Sequence, residues 1–214
     1  MKRSVYSLVL MDDVVKAVDR QAILLGTSRS NLINQILAEH LSCITPEMRM
    51  KEIFSSVAEL LGGSFQIQPC RSESLLTLRT ALEYKYRPTI NYKVELARSP
   101  DIHIGTLKVQ IRTQNASLIG LFNSFFTYWI KLETEIFRQI GLDGYICDLS
   151  SGCFVRRLFN SGELSDKAAA EAIYSYITLL DKALKLYFSA PQSFPAAAGE
   201  LEQEYVRQLR HTII

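Results

Sequence analysis

Three histidines, His40, His103 and His211, and four cysteines, Cys43, Cys70, Cys147 and Cys153, are the residues of this chain best suited to hold a metal or attack an electrophile. Their spacing suits neither task. The cysteines are widely scattered along the chain. The histidines are far apart, the first on a predicted helix and the second in a predicted loop. No glycine-rich phosphate loop, paired metal ligands or nucleophile elbow occurs. The sequence therefore points away from an enzyme and calls for no cofactor and no metal. Cys147 and Cys153 flank a predicted turn, yet free, buried thiols are the expectation for all four, because an unpaired cysteine packs as a small hydrophobe.

What remains is the chemistry of charge. Residues 84–93, YKYRPTINYK, alternate basic and aromatic side chains, a pattern that can stack on bases and pair with phosphates. Tyr92, however, falls on the inward face of a predicted strand and Lys93 on a solvated one, so packing accounts for the run better. Arg156-Arg157 stands on a predicted hairpin, one residue exposed and the other partly packed. The net charge is only +2, so an acidic partner must be held by a local patch and not by the chain as a whole.

The chain of 214 residues is 48% hydrophobic and 21% charged, which suits a packed globular protein and excludes a disordered one. The apolar stretch after Lys2-Arg3 ends at Asp12-Asp13, too soon for a signal peptide. Residues 116–132, ASLIGLFNSFFTYWIKL, are interrupted by Asn123, Lys131 and several hydroxyls, and read as a buried helix. A soluble, cytoplasmic protein is the expectation.

The elements that must position any charged site begin at once. Residues 4–10, SVYSLVL, are β-branched and large apolar, and read as a strand. Asp12 or Asp13 is placed to cap a helix in which Val14, Val18, Ala22 and Leu25 recur at helical spacing, with Val15 widening the stripe. Gly26 ends it as a left-handed cap. Thr27 and Ser28 offer hydroxyls to a second helix, whose apolar face is Leu32, Ile33, Ile36, Leu37 and Leu41. One strand and two short helices cannot close a core, nor satisfy the strand's own backbone. The economical solution is a two-fold dimer with the strands paired antiparallel.

The order strand, "DD", amphipathic helix, "G" and then "TSRSNLI" resembles the ribbon-helix-helix DNA-binding proteins of the Arc, MetJ and CopG type, over about the first fifth of the chain. The resemblance implies a homodimer whose two-stranded ribbon enters the major groove of double-stranded DNA, with neighbouring dimers possible on one operator. It places Tyr6, Leu8 and Leu10 on the inward face and Val5, Ser7 and Val9 on the outward one, with Arg3 just before. Ser7 would meet a base edge, the two valines thymine methyls, and Arg3 or Lys2 a phosphate or guanine. The segment Thr27, Ser28, Arg29 and Ser30 corresponds to the family's phosphate anchor, at a helix N-terminus where anions are favoured. Family members usually carry polar residues at the outward ribbon positions, where this chain has two valines. Residues 1–43 hold five Lys or Arg against four Asp or Glu, so nonspecific attraction to phosphate is weak. Two other readings of the module stand beside a CopG-like repressor or other transcriptional regulator. One is a structural or interaction protein that keeps the ribbon only to dimerise; the other is an antitoxin.

Thr45-Pro46 opens a third helix through residue 61, with Ile53, Phe54, Val57, Leu60 and Leu61 as its apolar face. The expected organisation is 1–43 as the ribbon-helix-helix module, 44–63 as a connecting helix ending at Gly62-Gly63, and 64–214 as a larger α+β domain with a mainly antiparallel sheet. In that domain residues 65–68 read as a strand and 72–84 as a helix. Ile90, Tyr92, Val94 and Leu96 then alternate against Asn91, Lys93 and Glu95, and Leu107, Val109 and Ile111 against Lys108, Gln110 and Arg112, giving two strands joined across residues 98–105. A long apolar helix over 117–137, a hairpin turning at Ser150 to Gly152, a capped helix from Ser165 to about Phe188 and a last helix after Pro195 complete it.

Overall fold

The structure is a computed structural model and describes residues 7–70, 72–85, 87–98, 102–141, 147–159, 164–192, 194–211 and 214. The chain is α+β, with six helices and one six-stranded antiparallel sheet among the described residues. It divides into two compact units, residues 1–49 and 50–214.

In the first unit, α1 (Asp12–Leu25) is followed by α2 (Arg29–His40). The expected carboxylate cap on α1 is corrected: Met11 stands at the N-cap and no side chain caps it. Asp12 and Asp13 lie inside the first turn, where their charge meets the positive end of the helix. Gly26, at φ 63°, ends α1 in the left-handed region, and its N–H and that of Thr27 return to the carbonyls of Ile23 and Ala22. Of the strand expected over residues 4–10, the described part, residues 7–10, is not a strand and forms no ladder, and residues 4–6 lie outside the described residues. A strand is a pairing, and all six strands of the sheet belong to the second unit.

Helix α3 (Pro46–Leu61) opens on Thr45, whose hydroxyl accepts from the Met48 N–H at 3.1 Å. Met50, Ile53, Phe54, Val57 and Leu61 are buried in one core with the sheet, whereas Leu60, expected among them, is 42% exposed. These side chains explain why the units divide between Arg49 and Met50 and not at Gly62-Gly63.

The sheet runs β1 (Gln66–Gln68), β2 (Leu75–Ala81), β3 (Thr89–Leu96), β4 (His103–Arg112), β6 (Cys153–Phe159), β5 (Cys147–Ser150), each antiparallel to its neighbour. Strand β2 replaces the helix expected over 72–84. Its leucines fit either period, but Leu76, Leu78 and Thr80 alternate inward and β2 pairs along its whole length with β3, with Leu78 opposite Tyr92. His103 opens β4 instead of lying in a loop, and its ring packs against Phe159 at 4.8 Å. Between His103 and Gly105 the register of β4 on β6 shifts, and a Cβ on Gly105 would fall 2.1 Å from the Glu95 carbonyl oxygen. Only glycine permits that approach.

Helices α4 (Ala116–Gln139), α5 (Asp166–Ser189) and α6 (Phe194–His211) share one core with the inward side chains of the sheet. Phe122, Phe125, Phe126 and Trp129 of α4 are wholly buried, so its aromatic arc is core, and Phe126 stacks on Phe154 of β6 at 4.2 Å. Asn115 and Ser165 cap α4 and α5 by accepting from the N–H groups of Ser117 and Leu118 and of Ala168.

Candidate nucleic-acid interface

The start of α2 is built for charge. The Ser28 hydroxyl accepts from the Asn31 N–H at 3.2 Å and the Ser28 carbonyl takes the Leu32 N–H. The N–H groups of Arg29 and Ser30 are left without a main-chain partner among the described residues. Ser28, Arg29 and Ser30 are exposed and Thr27 is half-buried, so four of the expected anchor residues lie together at one helix end. The Arg29 side chain does not face outward alone. Its Nε and Nη2 donate to both carboxylate oxygens of Asp19 at 2.5 and 2.6 Å, a bidentate fork that ties α2 back to α1. The hydrogen bond and the charge of Asp19 hold the guanidinium pKa above its ordinary value. An anion arriving at α2 meets the open N–H groups and must compete with Asp19 for Arg29.

Of the expected groove-reading residues, Ser7 and Val9 are described and exposed, Val9 completely at 103%. Arg3 and Val5 lie outside the described residues. Leu8 and Leu10, expected inward, are exposed as well.

That exposure extends over the whole unit. Val18, Ala22 and Leu32 form its small core with Ile33 packed beside them. Val14 and Leu25 of the expected α1 stripe are exposed, and so are Ile36, Leu37 and Leu41 of the α2 face. Ile23, Leu24, Met11 and Ile44 join them. A unit of this size with most of its large apolar side chains in water is one that lacks a cover.

The second unit holds a polar cluster that could be mistaken for a catalytic centre. Glu133 of α4, 1% exposed, accepts from Arg156 Nε at 2.8 Å, from the Tyr205 hydroxyl at 2.5 Å and from the Cys147 thiol at 3.0 Å. Arg156 of β6, 0% exposed, also donates to the main-chain oxygen of Ile214 and lies 4.1 Å from the centre of the Tyr176 ring. The Tyr176 hydroxyl accepts from the Trp129 indole at 3.1 Å. Burial pulls the guanidinium pKa down, but Glu133, Tyr176, Tyr205 and Cys147 together outweigh it and hold Arg156 well above its ordinary value, firmly protonated. Burial, reinforced by Glu133, pushes the Cys147 thiol far up, so it is protonated and a poor nucleophile. The group ties α4, α5, α6, β5 and β6 into one body and opens to no solvent. Its role is architectural.

This cluster corrects two expectations. Arg156 is not partly packed but fully enclosed, while Arg157 is exposed. Of the cysteines, Cys147 and Cys153 are buried but Cys43 and Cys70 are exposed; all four are free. Cys147 pairs opposite Arg156 and Cys153 opposite Ser150, which puts the two buried thiols on opposite faces of the hairpin. The signal for the cluster was in the pattern. Trp129, Glu133 and Phe137 recur every four residues, and Phe154, Arg156 and Leu158 every two, so an acid and a base each occupy an apolar register position. Asp19 gave no such signal, because the fork to Arg29 spans the Gly26 turn.

No described helix is long and apolar enough to cross a membrane. In comparisons with protein-family models, curated proteins and solved structures, nothing matches this chain.

Proposed function

We propose that the chain is a homodimeric, sequence-specific DNA-binding regulator of transcription, in which residues 4–10 of two copies pair as a ribbon and enter the major groove. The observation that carries this reading is the uncovered apolar surface of the first unit, from Leu8 and Leu10 through Leu25, Ile36, Leu37 and Leu41. A second copy buries these side chains and supplies the ladder that residues 7–10 lack. The open start of α2 then serves as the phosphate anchor, and Ser7 with Arg3, Val5 and Val9 reads the groove. Phosphate contacts set affinity and the ribbon sets sequence.

The test has two parts. Sedimentation equilibrium of the full chain is expected to give a dimer, and selection from random duplexes at two salt concentrations is expected to enrich an inverted or direct repeat. A monomer at micromolar concentration, or retention that is salt-labile and unselective, would overturn the proposal.

A further inference from the structure

The helices of the second unit cover one face of its sheet, and the side chains of the other face form a charge pattern of their own. By register, Lys93 of β3 stands directly opposite Lys108 of β4, Arg79 of β2 opposite Asn91, and Asn91 opposite Gln110. Two like charges facing each other across a ladder destabilise it. Among the described residues, neither lysine nor Arg112 is paired with a carboxylate. Around them the sheet forms a basin of about 230 Å³ lined by Gln68, Arg79, Asn91, Lys93, Gln110 and Arg112, among others, with no acid in its wall. Asn91 is only 7% exposed and accepts from Arg79 Nε through its Oδ1 at 3.4 Å, which leaves its amide N–H group as a donor in the basin.

We infer that this basin binds a small, charge-dense anion carrying two or more phosphate groups. The wall is rich in donors: two guanidinium forks, an ammonium and three amides, with Lys108 beside them. Its less polar members, Pro69 and Cys70, offer little to a carbon skeleton and no aromatic face to a base. The volume is that of roughly eight water molecules, below the usual range for an organic ligand. A short polyphosphate fits both the charge and the size. A nucleic-acid backbone fits less well, because Glu95 follows Lys93 on the same face and breaks the positive track. The inference is independent of the reading of the first unit, because every lining residue belongs to the second.

The experiment is calorimetric titration of the full chain with sodium tripolyphosphate, without divalent cations, at low and at physiological salt. Saturable binding of one anion per chain, weaker at higher salt, is expected. Lys93→Gln with Lys108→Gln should lose about tenfold or more in affinity, while Arg157→Gln, on the same face outside the basin, should change little. The double variant should unfold at or above the parental temperature without ligand, since facing like charges have been removed, and this separates lost binding from lost folding. Absence of saturation, an equal loss in Arg157→Gln, or citrate binding as tightly as tripolyphosphate would overturn the inference. Displacement of tripolyphosphate by duplex DNA would also overturn it and assign the basin to a nucleic-acid backbone. A failed operator selection leaves the titration unaffected, so the two proposals fail separately.

Discussion

Removing Glu133 should strip the second unit of its internal brace. In Glu133→Ala, Arg156 keeps its charge at 0% exposure and loses the Glu133 carboxylate that pairs with it. Orphaning one member of a buried ion pair costs about 3–5 kcal/mol. The Tyr205 hydroxyl, which donates to the same carboxylate at 2.5 Å, loses the acceptor for its proton, for about 1–3 kcal/mol more. Against a total stability of about 5–15 kcal/mol, that brings the unit close to unfolding, and a drop of order 10–20 °C in Tm follows. Trp129 is the only tryptophan, it is wholly buried, and its indole bonds to Tyr176 in the same cluster, so its fluorescence reports this unit. The deciding measurement is a double-mutant cycle by urea unfolding. Arg156→Met alone should also be costly, because it leaves the carboxylate buried without its countercharge. The double variant Glu133→Ala/Arg156→Met should recover at least about 2 kcal/mol of the summed losses, since removing both charges leaves neither stranded. Losses that add within about 0.5 kcal/mol would refute the account, and so would a Glu133→Ala protein as stable as the parent.

Leu37→Asp leaves the single chain's core untouched but places a charge where a second copy is proposed to pack. Losing about 2 kcal/mol at each of two symmetric positions raises the dimer dissociation constant by around three orders of magnitude, read by sedimentation equilibrium with Trp129 fluorescence unchanged. Asp19→Asn releases Arg29 from its fork, so affinity for any duplex should rise and its salt dependence steepen, whereas Arg29→Ala lowers affinity for all sequences and Ser7→Ala shifts sequence preference by about 1 kcal/mol or more; quantitative gel shifts at two salts distinguish the three. Gly105→Ala should cost about 1–3 kcal/mol or more, because the added Cβ meets the Glu95 main chain and not a side chain that can turn away, as a urea midpoint would show. Burial raises the pKa of Cys147, Tyr92, Tyr176 and Tyr205, so on raising pH the unfolded chain loses these protons first. Stability should be full below the ordinary thiol value of 9.0 and phenol value of 10.0, then fall by about 1.4 kcal/mol per pH unit per group until each folded-state pKa is passed.

What could be read from the sequence, and what could not, divides by how far the deciding partner lies along the chain. The β3 and β4 alternation, the Ser28 and Ser165 caps, the Gly26 terminator and the aromatic arc of α4 are local patterns, and each element stands where its pattern puts it. Residues 72–84 failed because Leu75, Leu76 and Leu78 satisfy a helix and a strand alike, and only the distant pairing of Leu78 with Tyr92 decides between them. The Glu133–Arg156 pair joins residues on α4 and β6, and the Arg29–Asp19 fork crosses a turn; each residue was visible, but the match between them was not.

The first unit extends the same logic past the end of one chain. Its apolar positions recur with helical period, yet half of them are exposed to water, because periodicity states which face wants cover and not what provides it. Strand propensity in residues 4–10 is likewise a half-statement, since the second half is a ladder partner, and the described residues 7–10 have none among the described residues. If an identical copy supplies both, one interface completes the core and the ribbon together. The Leu37→Asp variant should then lose dimer and sequence-selective DNA retention in the same concentration range. A variant that falls to monomer yet still selects the parental operator would show that cover and ribbon come from different sources.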